Sequence, residues 1–243
     1  MVKTGEYFDI HSHILPGVDD GSPDMETTLQ MLRQAMEQNI GTMIATPHYN
    51  IGGKNLPVEE LIRIKDQVQD EAQKMNKDFK LYLGNELFYS ESILDALKSG
   101  AALTLAGSRY VLVEFGYNED YKKLYSGMGN LVNAGYLPIL AHIERYKCLR
   151  RKTDLLEELI ELGCCLQMNS SSLLGNLFTD AGYHRQLVDR RLIQFIGSDC
   201  HDSEVRVPKM KAVAEMFRKK KKITLINLLL RENPSKILEN SYL

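Results

Sequence analysis

No apolar run in this chain approaches the ~20 residues that a membrane helix needs. Leu225-Ile226-Asn227-Leu228-Leu229-Leu230 is apolar but short and reads as a packed helix. Neither sign of charge dominates, and a net charge of −2 gives no global pull toward nucleic acid or an anionic membrane. Cysteine is sparse. The four cysteines, Cys148, Cys164, Cys165 and Cys200, form no C-x-x-C pair, which argues against a zinc ribbon or a thioredoxin-type site. Adjacent Cys164 and Cys165 read as two strand residues, and the chain as a reduced, cytoplasmic protein. The opening Met1-Val2-Lys3-Thr4-Gly5-Glu6 has no apolar signal core, so secretion is not expected. No linker, low-complexity tract or second-domain boundary is visible, and residues 1–243 are expected to form one domain.

Strand-like and helix-like segments alternate with little interruption. Strands are predicted at Tyr7–Ile10, Thr42–Thr46, Lys80–Leu83, Tyr110–Glu114, Leu137–Ala141, Cys164–Asn169 and Ile193–Gly197. The first helix carries Met25, Leu29, Leu32 and Met36 on one face, with Ser22 as its expected cap, Pro23 in its first turn and Gly41 as a left-handed stop. Later helices are predicted at Val58–Met75, Glu91–Leu97, Tyr121–Ala134, Asp154–Leu162 and Asp180–Arg190. Two more, at Lys209–Phe217 and Leu225–Arg231, close the chain before Asn233-Pro234. Seven strand–helix units argue for a parallel sheet, and the length suits a (β/α) barrel. An open doubly wound sheet is the alternative, but no G-x-G-x-x-G follows the first strand.

Metal-compatible side chains recur at the ends of these strands. His11 and His13 follow the first and His48 the second. The third runs into Glu86, the fourth ends in Glu114, the fifth in His142, and the seventh in Asp199 and His201. In a barrel, strand C-termini converge on one face, where active sites are built. Five of the six histidines fall at these positions; His184 lies in a helical segment and reads as a packing or surface residue. Asp19 or Asp20 can add a ninth donor. One ion takes about four to six ligands, so this set implies two or three divalent ions. Imidazole and carboxylate without thiolate suit manganese, iron or zinc. Three such ions outweigh the carboxylates, attract an anionic substrate, acidify a bridging water and clamp the oxygens of an in-line displacement. Phosphate ester hydrolysis is the expected reaction.

The run His11-Ser12-His13-Ile14-Leu15-Pro16-Gly17-Val18-Asp19-Asp20-Gly21 closely resembles the opening of bacterial PHP-type (polymerase and histidinol phosphatase) tyrosine phosphatases. Ala45-Thr46-Pro47-His48, Gly84-Asn85-Glu86, Val113-Glu114-Phe115, Ala141-His142-Ile143-Glu144-Arg145-Tyr146 and Ser198-Asp199-Cys200-His201 also match, in order along almost the whole chain. The resemblance implies an α/β fold, a single-domain distorted (β/α)7 TIM-like barrel. It implies a metal-dependent protein-tyrosine phosphatase that regulates capsule and exopolysaccharide synthesis. The implied cofactors are two or three divalent ions, manganese first, with iron or zinc as alternatives. His11, His13, Glu86 and Asp199 would hold one; Glu86, Glu114 and His142 the second; Asp20, His48 and His201 the third. Arg145 and Arg206 match the family's phosphate-contacting arginines. The implied partner is the phosphorylated tyrosine-rich tail of a bacterial tyrosine kinase. No nucleic acid or membrane insertion is implied, and a homo-oligomer is allowed for.

Three competing readings use the same residues. Cys200-His201-Asp202-Ser203-Glu204-Val205-Arg206 satisfies C-x5-R, the loop of cysteine-dependent phosphatases, but Asp202, Glu204 and the lack of glycine oppose an anion cradle. Alternation points Cys200 away from its two neighbours. A histidinol phosphatase or other small-molecule PHP phosphoesterase would use the same metals. A non-catalytic metal-binding scaffold is less favoured, because the ligand set is complete. The basic run Arg218-Lys219-Lys220-Lys221-Lys222 reads as a solvated helix end.

Overall fold

The computed structural model describes residues 6–175 and 180–243, so most of the N-terminal segment discussed above lies outside the described residues. β1 (Tyr7–Asp9), β2 (Ile40–Ala45) and β4 (Lys80–Leu83) form a three-stranded sheet in that order. β3 (His48–Tyr49), β5 (Glu86–Phe88), β6 (Tyr110–Glu114), β7 (Leu137–Leu140), β8 (Cys165–Asn169) and β9 (Phe195–Gly197) form a second, six-stranded one. Every pairing is parallel. β3 continues the path of β2 beyond Thr46-Pro47, and β5 that of β4 beyond Gly84-Asn85. Pro47 has no N–H to give to a ladder. Its carbonyl accepts instead from Glu86 N at 3.2 Å and Asn85 Nδ2 at 2.9 Å. The predicted third strand is β4 as observed and the predicted second corresponds to β2; each is followed, where the chain turns toward His48 and Glu86, by a short strand that was not predicted, β3 and β5.

A parallel bridge between Ser12 and Cys200 joins the chain leaving β1 to the chain leaving β9. His13 N donates to Cys200 O and Asp199 N to His11 O, both at 2.9 Å. The parallel sheet thus curls until the segments that follow its first and last strands meet. Alternation sorts the core into two layers. Phe8, Ile10, Ile44, Tyr110, Leu112, Ile139 and Phe195 pack together on one side of the strands. Val111, Val113, Leu140, Leu166 and Ile196 pack on the other, against helix residues such as Met31, Val68 and Leu131. Each fully buried large side chain contributes about 1.5–3 kcal/mol.

The helices are α1 (Met25–Glu37), α2 (Val58–Met75), α3 (Ile93–Ser99), α4 (Tyr121–Asn133), α5 (Thr153–Glu161), α6 (Ala181–Asp189), α7 (Met210–Lys219), α8 (Ile223–Asn227) and α9 (Asn233–Glu239). The cap of α1 is Asp24, whose carboxylate accepts from Thr27 N at 2.8 Å; Ser22 instead donates to Asp24 O. The left-handed residue after α1 is Asn39, not Gly41, which lies in β2 against the Glu6 side chain. Helix does not stop at Asn233-Pro234 either. A π-helical turn, Leu228–Glu232, leads into α9, and Pro234 sits in the first turn, where a missing N–H costs nothing. Among the described residues all four cysteines are free thiols, and no helix is long and apolar enough to cross a membrane.

Candidate metal centre

The strand ends bring all nine predicted donors together. His11, His13 and Glu86 form one group of ligand atoms within 4.8 Å of one another; His48, Glu86 and Glu114 form a second; His13, Asp20, His48 and His201 a third. Glu86 is the hub. Its Oε2 lies 3.2 Å from His11 Nε2, His13 Nε2 and His48 Nδ1, and its Oε1 lies 2.9 Å from His142 Nε2. Asp199 Oδ1 adds to the first group at 3.5 Å from His11 Nε2 and 3.6 Å from His13 Nε2. Glu114 Oε2 lies 3.5 Å from His142 Nε2. Asp20 Oδ1 lies 3.3 Å from His48 Nε2 and 3.5 Å from His201 Nε2. His48 therefore faces two groups at once. Apart from Asp20 and His48, these side chains are buried.

Two donors sit on strained backbone. His142 (φ 32°) and Asp199 (φ 53°) occupy the left-handed region, which costs a non-glycine residue about 1–3 kcal/mol. Strand parity would send His142 outward with Leu140. The left-handed turn carries its imidazole to Glu86 instead.

A second ring of residues fixes the donors. Asp19, the alternative ninth donor, instead braces the others. Its Oδ2 lies 2.7 Å from His13 Nδ1 and accepts from His48 N at 3.0 Å, while Oδ1 accepts from Gly21 N. Gly21 must be glycine, because a Cβ there would lie 2.2 Å from His13 O. β8, which carries no predicted ligand, supplies the rest. Gln167 Oε1 accepts from His142 N at 2.8 Å and lies 3.2 Å from His11 Nδ1; Gln167 Nε2 donates to Asn169 Oδ1. Asn169 Nδ2 in turn donates to Asp199 Oδ2 at 2.7 Å. Gln167 and Asn169 were not among the predicted site residues. Their signal was a polar pair two apart in an otherwise apolar strand. Asp9 was also missed. It is fully buried, and its carboxylate accepts from His11 N and Ser198 N. Burial raises its pKa to about 6, only partly offset by those bonds.

The cluster is strongly polarised. Burial opposes the imidazolium forms of His13 and His142. Asp19 and Glu86 outweigh it at His13, Glu114 and Glu86 at His142, and both are pushed up to about 10. Burial also opposes the Glu86 carboxylate, but His11, His13 and His142 hold it well below its usual range. At Asp199 burial is likewise outweighed, chiefly by His11 and Arg145, bringing it to about 2. His201 goes the other way, down to about 4, through burial and the neighbouring His13. A metal fits this arrangement. His11 Nε2 and His13 Nε2 face one another at 3.3 Å and share the same carboxylate oxygen. His142 Nδ1 is buried without a hydrogen-bond partner, and His48 Nδ1 lies 3.2 Å from both Glu86 Oε2 and Glu114 Oε1. Imidazole and carboxylate donors converge with no thiolate, a set suited to manganese, iron or zinc.

Both predicted arginines lie beside the cluster. Arg145, in the 3₁₀ turn Ile143–Arg145 after β7, and Arg206 each pair with Asp199 Oδ2. Together with Asn169 and Lys209 they line a cavity of about 110 Å³. Cys200 is buried, and burial pushes its thiol far above the usual range. The loop after it cannot cradle a phosphate. The N–H groups of Glu204, Val205 and Arg206 are all taken by the Asp202 carboxylate. His184, as expected, is a packing residue, with Nδ1 3.0 Å from Ser172 O. Lys222 pairs with Asp189, and Lys219 to Lys221 are exposed.

The family described as "Capsular polysaccharide synthesis, CpsB/CapC" matches residues 7–239. The chain belongs to it. Tyrosine-protein phosphatase CpsB of Streptococcus agalactiae serotype V is 31% identical over 245 residues, 97% of this chain and 99% of that protein. Tyrosine-protein phosphatase YwqE of Bacillus subtilis is 34% identical over 207 residues, 82% of this chain and 78% of that protein. One chain from the crystal structures of YwqE and Streptococcus pneumoniae CpsB, described as unique metal-dependent tyrosine phosphatases, superposes with a TM-score of 0.88. It is 30% identical, with 97% of this chain and 96% of that chain covered. This CpsB/CapC member thus matches S. agalactiae CpsB and the superposed structure over nearly its whole length.

Proposed function

We propose that this CpsB/CapC member is a metal-dependent phosphotyrosine-protein phosphatase built as one distorted (β/α)7 barrel. The observation that carries the reading is the convergence of nine donors in one largely buried cluster with two arginines at its edge. That its relatives CpsB and YwqE are tyrosine-protein phosphatases supports it. His11, His13, Glu86 and Asp199 would hold one divalent ion, Glu86, Glu114 and His142 a second, and Asp20, His48 and His201 a third, with manganese the first choice over iron or zinc. Bound there, the ions would supply a strong nucleophile at neutral pH and offset phosphoryl charge.

The protein's own residues do the rest. Arg145 and Arg206 converge from two loops, so a phosphate dianion can accept from both guanidiniums in place of Asp199. His201, held neutral in the metal-free protein by burial and His13, has its lone pair free to take up an ion at pH 7. Gln167 and Asn169 hold His11, His142 and Asp199 in place while the substrate enters and leaves. A phenol with a pKa of ~10 leaves with little protonation, so no dedicated acid is required of the chain.

The proposed physiological substrate is the tyrosine-rich tail of a bacterial tyrosine kinase that controls capsular or exopolysaccharide synthesis. The family's link to capsular polysaccharide synthesis supports the capsular part of this reading. The proposed compartment is the cytoplasm, where free thiols persist. The test is turnover of a phosphotyrosyl peptide and of histidinol phosphate by the manganese-loaded protein. Strong preference for the peptide is expected; preference for histidinol phosphate would assign the site to a small-molecule phosphoesterase.

A further inference from the structure

Tyr117 stands at the rim of this site and no step above uses it. It lies three residues beyond Glu114 in the loop leaving β6, and it is 45% exposed. Among the described large hydrophobic side chains that are exposed, it is the one whose ring contacts a donor of the cluster. It meets the His142 imidazole edge-on, with centroids 5.8 Å apart at 79°. It meets the buried Tyr146 in a similar way at 6.3 Å. Its hydroxyl accepts from Arg145 Nη1 at 2.9 Å, and the guanidinium carbon lies 5.7 Å from its ring centroid. A lone exposed tyrosine elsewhere needs no explanation. This one is fixed by His142, Tyr146 and Arg145, with its remaining surface open beside the guanidinium that would meet a phosphate.

We infer that Tyr117 is a specificity-determining residue: its ring forms a wall for the aromatic ring of an aryl phosphate ester, and its hydroxyl positions Arg145. The inference rests on the phosphatase reading above and names the structural source of its preference for aryl esters. In an aryl phosphate, one ester oxygen separates phosphorus from the ring. A phosphate gripped by Arg145 therefore carries its ring to the neighbouring tyrosyl face. An alkyl ester places only flexible methylenes there. Aromatic pairs contribute about a two- to twelve-fold preference beyond area burial.

The two roles separate in two variants, Tyr117→Phe and Tyr117→Leu. The manganese-loaded protein is titrated calorimetrically with phenylphosphonate and with methylphosphonate, neither of which can be hydrolysed. Turnover of a phosphotyrosyl peptide is measured alongside. Wild-type protein is expected to favour phenylphosphonate. Tyr117→Phe is expected to weaken both ligands by a similar factor, through Arg145, and to keep that preference. Tyr117→Leu is expected to lose it by about two- to twelve-fold. Equal weakening of both ligands in Tyr117→Leu, or no phenyl preference in the wild type, overturns the inference while peptide turnover leaves the phosphatase reading intact. A wild type that binds neither phosphonate and turns over no peptide overturns both.

Discussion

Gln167 lies on β8, which supplies no donor, yet it touches two of the imidazole residues. Replacing it with leucine leaves the His142 N–H buried without an acceptor and His11 without its brace. Partners of this kind are worth about 10- to 100-fold in metal affinity. Gln167→Leu is expected to weaken manganese binding by that factor in a chelator competition; unchanged affinity would show that Gln167 does not orient the ligands. The charge states give a second expectation. His13 and His142, at about 10 in the metal-free protein, carry protons at pH 7 that a metal must displace. Manganese loading at pH 7 should therefore release about two protons or more, read by calorimetry in buffers of different ionisation enthalpy. The sign for stability follows. A raised imidazole stabilises the metal-free fold below its unfolded pKa of 6.5, and that stabilisation is lost as pH rises through about 10. In chelator the melting temperature should fall across that window. At this scale the donors were legible, because histidine and acid recur where strands end. Gln167, Asn169 and Asp9 were not, since their partners lie on other strands.

At the scale of elements, the site is shaped by how closely neighbouring strands approach. Gly197 ends β9 against β8 and the segment that follows β1; a Cβ there would lie 2.8 Å from His11 Cβ and 2.9 Å from Gln167 Nε2. Gly197→Ala forces one of them to move. It is expected to destabilise the metal-free protein by about 1–3 kcal/mol in denaturant unfolding and to weaken metal binding as well. A neutral effect on both would show that the strand ends are looser than this packing requires. Amphipathic periodicity located α2 at the observed Val58–Met75, where pattern and propensity agree. It failed where a single residue was asked to mark a boundary. Ser22 yielded the cap to Asp24, Gly41 belongs to a strand, and Pro234 starts a helical turn instead of ending one. The strands that resume beyond Pro47 and Gly84-Asn85, β3 and β5, were not legible because segments of two and three residues carry no readable alternation.

For the whole molecule, curling the parallel sheet makes one site from residues spread between His11 and Arg206. Alternation of strands and helices was enough to expect that convergence. The bracing across strands was not legible, because it depends on which strands become neighbours, as the Ser12–Cys200 bridge shows. The central claim is that metal held by this cluster, and not the Cys200 thiol, carries phosphotyrosine hydrolysis. The direct measurement is phosphate release from a tyrosine-phosphorylated peptide before and after exhaustive chelation, with His142→Ala and Cys200→Ser in parallel. Activity should vanish on chelation, return with manganese, be lost in His142→Ala and persist in Cys200→Ser. Activity that survives chelation and disappears in Cys200→Ser would contradict the claim.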